Sequence, residues 1–223
     1  MKRLFSRFHK VNWKYIIGEI VLLFVGINLA IWFNNWNATS RLHQDRQLAL
    51  DKLTEEIQSN QEELNKAKAI NTQILKAFKA YGQVYAGRST KVITTAKHMK
   101  MLQDSFPNFF RINSSEPLQA DTFLYEGGTS INLELAELTD IAWTTSQSIE
   151  ITNTFSYSCL YELASMYQLQ NRLKREIDRA AQALQERRLE DLLRILEFIQ
   201  QFEVLLERDY NSSLQSLPEC YRR

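Results

Sequence analysis

The most constraining feature of the sequence is an apolar stretch near its beginning, from Tyr15 to Phe33. A helix needs roughly 20 mostly apolar residues to cross the hydrocarbon core of a bilayer, and this stretch has that length. Aromatic side chains at both ends match the belts found at membrane interfaces: Trp13, Tyr15, Trp32 and Trp36. The pattern predicts a transmembrane helix over residues 15–36.

Charges on the two sides of this stretch predict its direction. Basic residues alone precede it, with no acidic residue among them: Lys2, Arg3, Arg7, Lys10 and Lys14. A comparable distance after the stretch holds only Arg41 and Arg46, with Asp45 between them. Flanking Lys and Arg residues favour the cytoplasmic side. We therefore expect residues 1–14 to form a cytoplasmic head and residues 37–223 to be exported.

A cleaved signal peptide is the alternative interpretation. Its apolar core would span about 7–15 residues and end at a cleavage site with small side chains. Here the apolar run is longer, and bulky Trp32, Phe33 and Trp36 occupy the region where cleavage would fall. The sequence favours an uncleaved signal-anchor.

Two faces of the predicted span carry candidate contacts for other membrane helices. Glu19, Gly26 and Ala30 fall on one face, and Asn28 points the opposite way. Small residues four apart let a second helix approach closely, and polar residues in lipid usually face a partner or a cavity. For Glu19 the alternative is a position near the cytoplasmic interface.

The span also carries a resemblance to a known family. Its segments GEIVL (18–22), Gly26-Ile27, Ala30 and NNWN (34–37) resemble the opening of a family of uncharacterised bacterial single-pass membrane proteins. The resemblance covers about twenty residues closely, and Asn28 and Trp32 depart from the family pattern. It implies a Gram-negative inner-membrane setting and a helical, coiled-coil-like region after the span. It implies no activity.

Composition predicts an all-α fold, in which an elongated antiparallel helical bundle or coiled-coil-like domain follows the transmembrane helix. The chain of 223 residues has only six Gly and three Pro, and helix-forming residues are abundant. A net charge of +1 argues against a nucleic-acid-binding protein. We recognise no catalytic, cofactor-binding or metal-binding motif, and interpret the pairs Glu55-Glu56 and Glu62-Glu63 as part of an exposed face.

A long helix is predicted over residues 41–85. Its apolar positions alternate at spacings of three and four once two asparagines are included: Leu50, Leu53, Ile57, Asn60, Leu64, Ala67, Asn71, Ile74, Phe78, Tyr81 and Tyr85. Buried Asn at such positions can fix register or partner number. We expect this seam to pack against the C-terminal helices, and the alternative is a docking groove for a partner chain.

The middle of the chain predicts a short helix over 90–104, followed by an irregular segment over 106–138. Turn-forming residues such as Pro107, Pro117 and Gly127-Gly128 break the helical pattern there. The segment is rich in aromatics that either cap the bundle or form a partner-binding surface: Phe106, Phe109, Phe110, Phe123 and Tyr125.

The C-terminal part predicts a helical hairpin over 157–217. Asp140 is the expected N-cap of a preceding short helix containing Trp143, and Ser156 or Ser158 is the expected N-cap of the hairpin. Both apolar stripes need a cover, which favours a turn near Arg187-Arg188 over one continuous helix. A hairpin brings Cys159 and Cys220 together for a disulfide, whereas a continuous helix would separate them by about 90 Å.

These features favour a non-enzymatic, membrane-anchored accessory or scaffolding subunit. The expected partners are the lipid bilayer and either other membrane subunits or further copies of the chain. The alternative is a periplasmic helical-bundle sensor whose signal passes through a partner, since a head of about 14 residues has no room for an output domain.

Overall fold

The computed structural model describes residues 13–86 and 90–220 of the chain. It divides into two units, Met1–Leu48 and Ala49–Arg223, which are described separately. Most of the basic head lies outside the described residues. The described part is mainly helical, with a small antiparallel sheet, so the all-α prediction is wrong in that respect.

The first helix, α1 (Trp13–Gly82), is 70 residues long and begins well before the predicted start at residue 41. The polar residues after the apolar stretch do not interrupt it. The Thr39 hydroxyl donates to the Asn35 carbonyl at 2.9 Å, which lets this side chain sit within the helix. Within the first unit, an 18-residue window of mean hydropathy 2.3 is 0% buried. This helix is long and apolar enough to cross a membrane.

The core of the second unit is built by α1 from Ala49 onward, α4 (Tyr157–Gln185) and α5 (Leu189–Ser216). Most seam positions of α1 are buried, including Leu53, Ile57 and Leu64 at 0% exposure. Since α1 ends at Gly82, Tyr85 lies outside it and forms an isolated bridge with Val92 instead.

The two C-terminal helices form an antiparallel hairpin, as the paired apolar stripes predict. The turn includes Arg187 at φ 57°, and the next N–H, of Arg188, donates to the Ala183 carbonyl at 2.8 Å. This left-handed residue ends α4 without glycine. The chain then reverses into α5, so each stripe covers the other.

The ends of the hairpin are joined covalently. Cys159 and Cys220 form a disulfide with their Cα atoms 5.3 Å apart. Ser156 is the N-cap of α4, and its hydroxyl accepts the N–H of Cys159 at 3.3 Å. The Ser156 N–H also donates to the Cys220 carbonyl at 3.2 Å. A short 3₁₀ helix, Leu217–Glu219, carries the chain from α5 to this junction.

A three-stranded antiparallel sheet replaces much of the predicted short helix and irregular segment. Its strands are β1 (Lys91–Thr95), β2 (Phe110–Gln119) and β3 (Thr122–Thr129), in the order β1-β3-β2. Only α2 (Ala96–Ser105) remains of the helix predicted over 90–104. In β1, Val92 and Thr94 are buried and their neighbours are more exposed, which is the alternation of a strand with one covered face.

The sheet covers a second cluster of buried side chains at the C-terminal end of α1. Phe78 meets Phe109 edge to face, with ring centroids 4.9 Å apart. Phe110 and Tyr125 are also buried in this cluster. Three of the five aromatics predicted as a partner surface therefore belong to the core, and the capping alternative describes them.

Between the sheet and α4 the chain runs without regular secondary structure to α3 (Ile141–Ser148), then through a 3₁₀ helix, Ile151–Thr154. Asp140 occupies the N-cap position of α3, but its side chain makes no capping hydrogen bond. The prediction that the Asp140 side chain caps α3 is therefore wrong. The Glu56 carboxylate accepts the N–H groups at the start of α3 instead.

Gly127 offers a test of the sheet. A Cβ atom at this position would lie 2.2 Å from the Arg111 carbonyl oxygen and 2.9 Å from two Phe110 ring atoms, whereas one at Gly128 would meet nothing within 4 Å. We expect Gly127→Ala to lower the free energy of unfolding by about 1–3 kcal/mol. Gly128→Ala is the matched control and should change it by less than about 0.5 kcal/mol. Urea unfolding of the full chain in detergent measures both, and equal effects would contradict this packing.

Candidate functional site

An apolar groove of about 720 Å³ lies on the second unit, between α1 and the turn that follows α2. One wall is a face of α1 that includes Ala69, Ile70, Gln73, Ile74 and Ala77. The other includes Phe106, Pro107 and Phe109. No charged residue is among the described residues that line it.

The sequence builds this groove from small residues on one side and a rigid turn on the other. Ala69, Gln73 and Ala77 are spaced four apart, so they form one row along α1 with two short side chains. The turn contains Asn108 at φ 69°, a left-handed conformation that Asn tolerates better than most residues. The Phe109 carbonyl then accepts the Ser130 N–H at 2.8 Å, which holds the turn against the segment after the sheet.

The groove gathers part of the predicted partner surface. Phe106 lines it, and so does one edge of Phe109, although Phe109 is only 5% exposed and belongs to the core with Phe110 and Tyr125. Phe123 packs against Tyr125 with ring centroids 6.0 Å apart. Ile70 of α1 is 38% exposed and contributes to the groove, but the sequence interpretation did not single it out. The available signal was that Ile70 is a large apolar residue of α1 outside the seam, where its side chain is exposed unless another segment covers it.

Two buried asparagines hold the segment that precedes α3 against α1. Asn60 receives the Thr139 N–H and donates to the Thr139 carbonyl, both at 2.8 Å. Asn71 makes the same pair of bonds with Glu134, at 3.0 and 2.7 Å. Each amide thus replaces the partner that a neighbouring strand would supply. Both asparagines of the predicted seam therefore bond the backbone of this segment, and their role in fixing the register of a coiled coil stays a prediction.

The two contacts fix the direction of the segment along α1. Asn60 bonds Thr139, and Asn71, which lies eleven residues later on α1, bonds Glu134. The segment therefore runs antiparallel to this part of α1.

Glu56 is the third polar contact between α1 and this region. It is 8% exposed, so the interpretation of Glu55-Glu56 as an exposed pair is wrong for Glu56. Its carboxylate accepts the backbone N–H groups of Ala142 at 2.9 Å and Trp143 at 3.3 Å, which caps α3 from another helix. It also accepts the hydroxyls of Tyr167 at 2.7 Å and Thr139 at 3.3 Å.

The same network continues across the hairpin through Gln170, which is fully buried. The Gln170 amide donates to the Thr139 carbonyl at 2.8 Å and accepts the Tyr210 hydroxyl at 2.7 Å. Burial raises the pKa of the Tyr167 phenol, and its hydrogen bond to Glu56 raises that pKa further. Burial also raises the pKa of Tyr210, so both phenols stay protonated as donors at neutral pH. The network holds helices and backbone together.

The candidate contacts in the predicted span are exposed in the first unit. Asn28 donates its side-chain N–H to the Phe24 carbonyl at 2.7 Å, so part of its polarity is satisfied within its own helix. A Cβ atom at Gly26 would meet no heavy atom within 4 Å. Glu19 and Ala30 are also exposed. Their contacts with other membrane helices stay a prediction.

Among the described residues, no group of three or more His, Cys, Asp or Glu side chains is placed to hold a metal ion. No protein-family model matches the chain, and no match was found among curated proteins or solved structures.

Replacing Glu56 tests the network. In Glu56→Gln the amide nitrogen turns a donor toward the N–H and O–H groups that the carboxylate now accepts. We expect a loss of about 1–3 kcal/mol in the free energy of unfolding. Glu55→Gln, on the adjacent exposed side chain, is the control and should cost less than about 0.5 kcal/mol. Near-ultraviolet circular dichroism should also change in Glu56→Gln, because Trp143 stacks on Tyr167 at 5.3 Å. An unchanged spectrum and stability would refute this role.

Proposed function

We propose that this protein is a non-enzymatic, membrane-anchored accessory or scaffolding subunit. In this proposal it binds a membrane protein complex through the apolar part of α1 and through its second unit. The observation that carries the proposal is the apolar window of α1, which is 0% buried. An exposed surface of that length and hydropathy needs lipid or other membrane helices to cover it.

The groove supports the second half of the proposal. Among the described residues its lining has no charged side chain and more apolar than polar surface, which suits apolar side chains of a partner better than a charged ligand. Meanwhile the conspicuous buried polar groups of the core, Glu56, Asn60 and Gln170, are bonded to backbone and to one another. These three side chains stabilise the fold, and we therefore favour a binding role for the protein over a catalytic one.

The proposed setting is the bacterial inner membrane, with residues 1–14 in the cytoplasm and the second unit in the periplasm. The Lys and Arg residues before the apolar stretch support this direction. The Cys159–Cys220 disulfide suits an oxidising compartment. The resemblance of the span to a family of bacterial membrane proteins agrees with the same setting, and we propose that α1 is retained as a signal-anchor.

A ligand sensor that signals through a partner is the second candidate, and the size of the groove favours it. A volume of about 720 Å³ lies within the range of small-molecule pockets, about 300–1,000 Å³. An apolar ligand in the groove would be recognised by the same walls as a partner side chain. The two candidates differ in what contacts Phe106 and Ile70 in the groove: side chains of a partner protein in the first, and a small apolar ligand in the second.

The membrane part of the proposal is tested at Gly26. Gly26→Ile places a branched side chain on the predicted contact face, where the chain itself offers no clash. We expect at least about a tenfold loss of co-purifying membrane subunits, or 1.4 kcal/mol. Gly18→Ile is the matched control, because Gly18 is equally open and lies about 80° around the helix from Gly26. Equal recovery of partners with both variants would contradict a contact at Gly26.

The groove is tested at Ile70 in the full-length protein. Ile70→Asp places a charge on an exposed wall residue, so the free energy of unfolding should change little while partner recovery falls by about tenfold. Val204→Asp is the control, since Val204 is 58% exposed on α5 and lies outside the groove lining. If Ile70→Asp leaves partner recovery intact but abolishes a ligand-induced thermal shift, the sensor is favoured over the scaffold.

A further inference from the structure

Glu203 is a buried carboxyl group with an unusual environment. It lies on the core face of α5 at 2% exposure, between the buried residues Ile199 and Leu206. Within the described part of the chain, its Oε2 atom is buried and has no hydrogen-bond partner. Glu56, the other deeply buried acid, accepts four hydrogen bonds by comparison. Burial without such donors favours a neutral, protonated acid.

Two charged side chains act on Glu203, one from each helix of this interface. Lys68 comes from α1, and its Nζ atom pairs with the Glu207 carboxylate at 2.6 Å. Glu207 lies four residues after Glu203 on α5, so the two carboxyl groups share a face of the helix. The Lys68–Glu207 pair is about one-third exposed on each side. The Lys68 ammonium group therefore pairs with Glu207 and acts on Glu203 through its charge.

The three side chains act in opposite directions on the proton of Glu203. Burial raises the pKa of Glu203 to about 7, with Lys68 lowering it and Glu207 raising it. Near neutral pH the protonated and ionised forms are then both populated. Since the group is buried, the two forms have different packing requirements.

We propose that Glu203, Lys68 and Glu207 form a proton-sensitive switch between α5 and α1. When Glu203 holds its proton, the neutral acid stays in the core and Lys68 pairs with Glu207. When the proton leaves to solvent, the Glu203 carboxylate draws Lys68 from Glu207 and requires solvation, so the contact between α5 and α1 loosens. The domain then responds to the pH of its compartment, independently of what binds the groove.

The sign of the effect follows from the raised pKa. In the unfolded chain Glu203 ionises near its ordinary value of 4.5, and in the folded chain near 7. Between these values the folded state holds one more proton than the unfolded state. The folding equilibrium constant should therefore fall by up to about tenfold per pH unit as pH rises through this window. Well above pH 7 Glu203 is ionised in both states, and the folding constant no longer changes with pH through this group.

The experiment is urea unfolding of the full-length protein in detergent, across pH 5 to 8, for wild type and Glu203→Gln. The variant mimics the neutral acid, so its folding constant should lack the decline that wild type shows across this window. Glu197→Gln is the matched control: Glu197 forms a more exposed pair with Lys79 at 2.7 Å, from α5 to α1, and should keep the wild-type dependence. The same pH dependence in wild type and Glu203→Gln would overturn the switch.

Infrared spectroscopy of the folded protein gives a second readout that needs no unfolding. A carboxylic C=O band assigned to Glu203 should titrate with a midpoint near 7. Glu207→Gln removes the competing carboxylate and should move the midpoint down, while Lys68→Met should move it up. These shifts keep the proposal testable even if Glu203→Gln does not fold. A midpoint that neither variant moves, or a band that does not titrate between pH 5 and 8, would overturn the proposal.

Discussion

A chain segment that lies along an α-helix finds no backbone partners there, because the helix uses its own N–H and C=O groups internally. The segment after the sheet faces this constraint against α1, and side chains of α1 resolve it. Asn60 and Asn71 supply paired donors and acceptors to Thr139 and Glu134, and Glu56 receives the free N–H groups at the start of α3. The position of α3, and of Trp143 against Tyr167, depends on these three polar side chains.

Two buried acids in the same domain show how environment decides the role of a carboxyl group. Glu56 is surrounded by donors from backbone and hydroxyl groups, so burial is offset by hydrogen bonds. Glu203 has a buried oxygen without a hydrogen-bond partner, and Lys68, which pairs with Glu207, acts on it only through its charge. The cost of burying a charged carboxylate is therefore avoided chiefly by keeping the group protonated. The first acid positions a helix, and the second makes the interface of α1 and α5 sensitive to pH.

The surfaces that remain apolar suggest where the protein meets other molecules. The first unit exposes its apolar window, and the second exposes a groove between α1 and the turn after α2. These two surfaces are the basis on which we propose an accessory or scaffolding subunit.

Local patterns in the sequence predicted the apolar span and the buried seam of α1, and favoured the C-terminal hairpin and the Cys159–Cys220 pairing over their alternatives. The span follows from the length of an apolar run, and the seam and the hairpin follow from the helical period of apolar residues. The cysteine pairing follows from the nearly equal distances of Cys159 and Cys220 from the turn. Tertiary structure decided the rest. The strand Lys91–Thr95 is too short to distinguish from a helix by period, and its pairing with β3 is non-local. Glu56 looked like half of an exposed pair, since the groups that bury it lie more than eighty residues away in sequence. The same holds for Glu203, whose lysine comes from another helix, and for the groove, whose two walls only folding brings together.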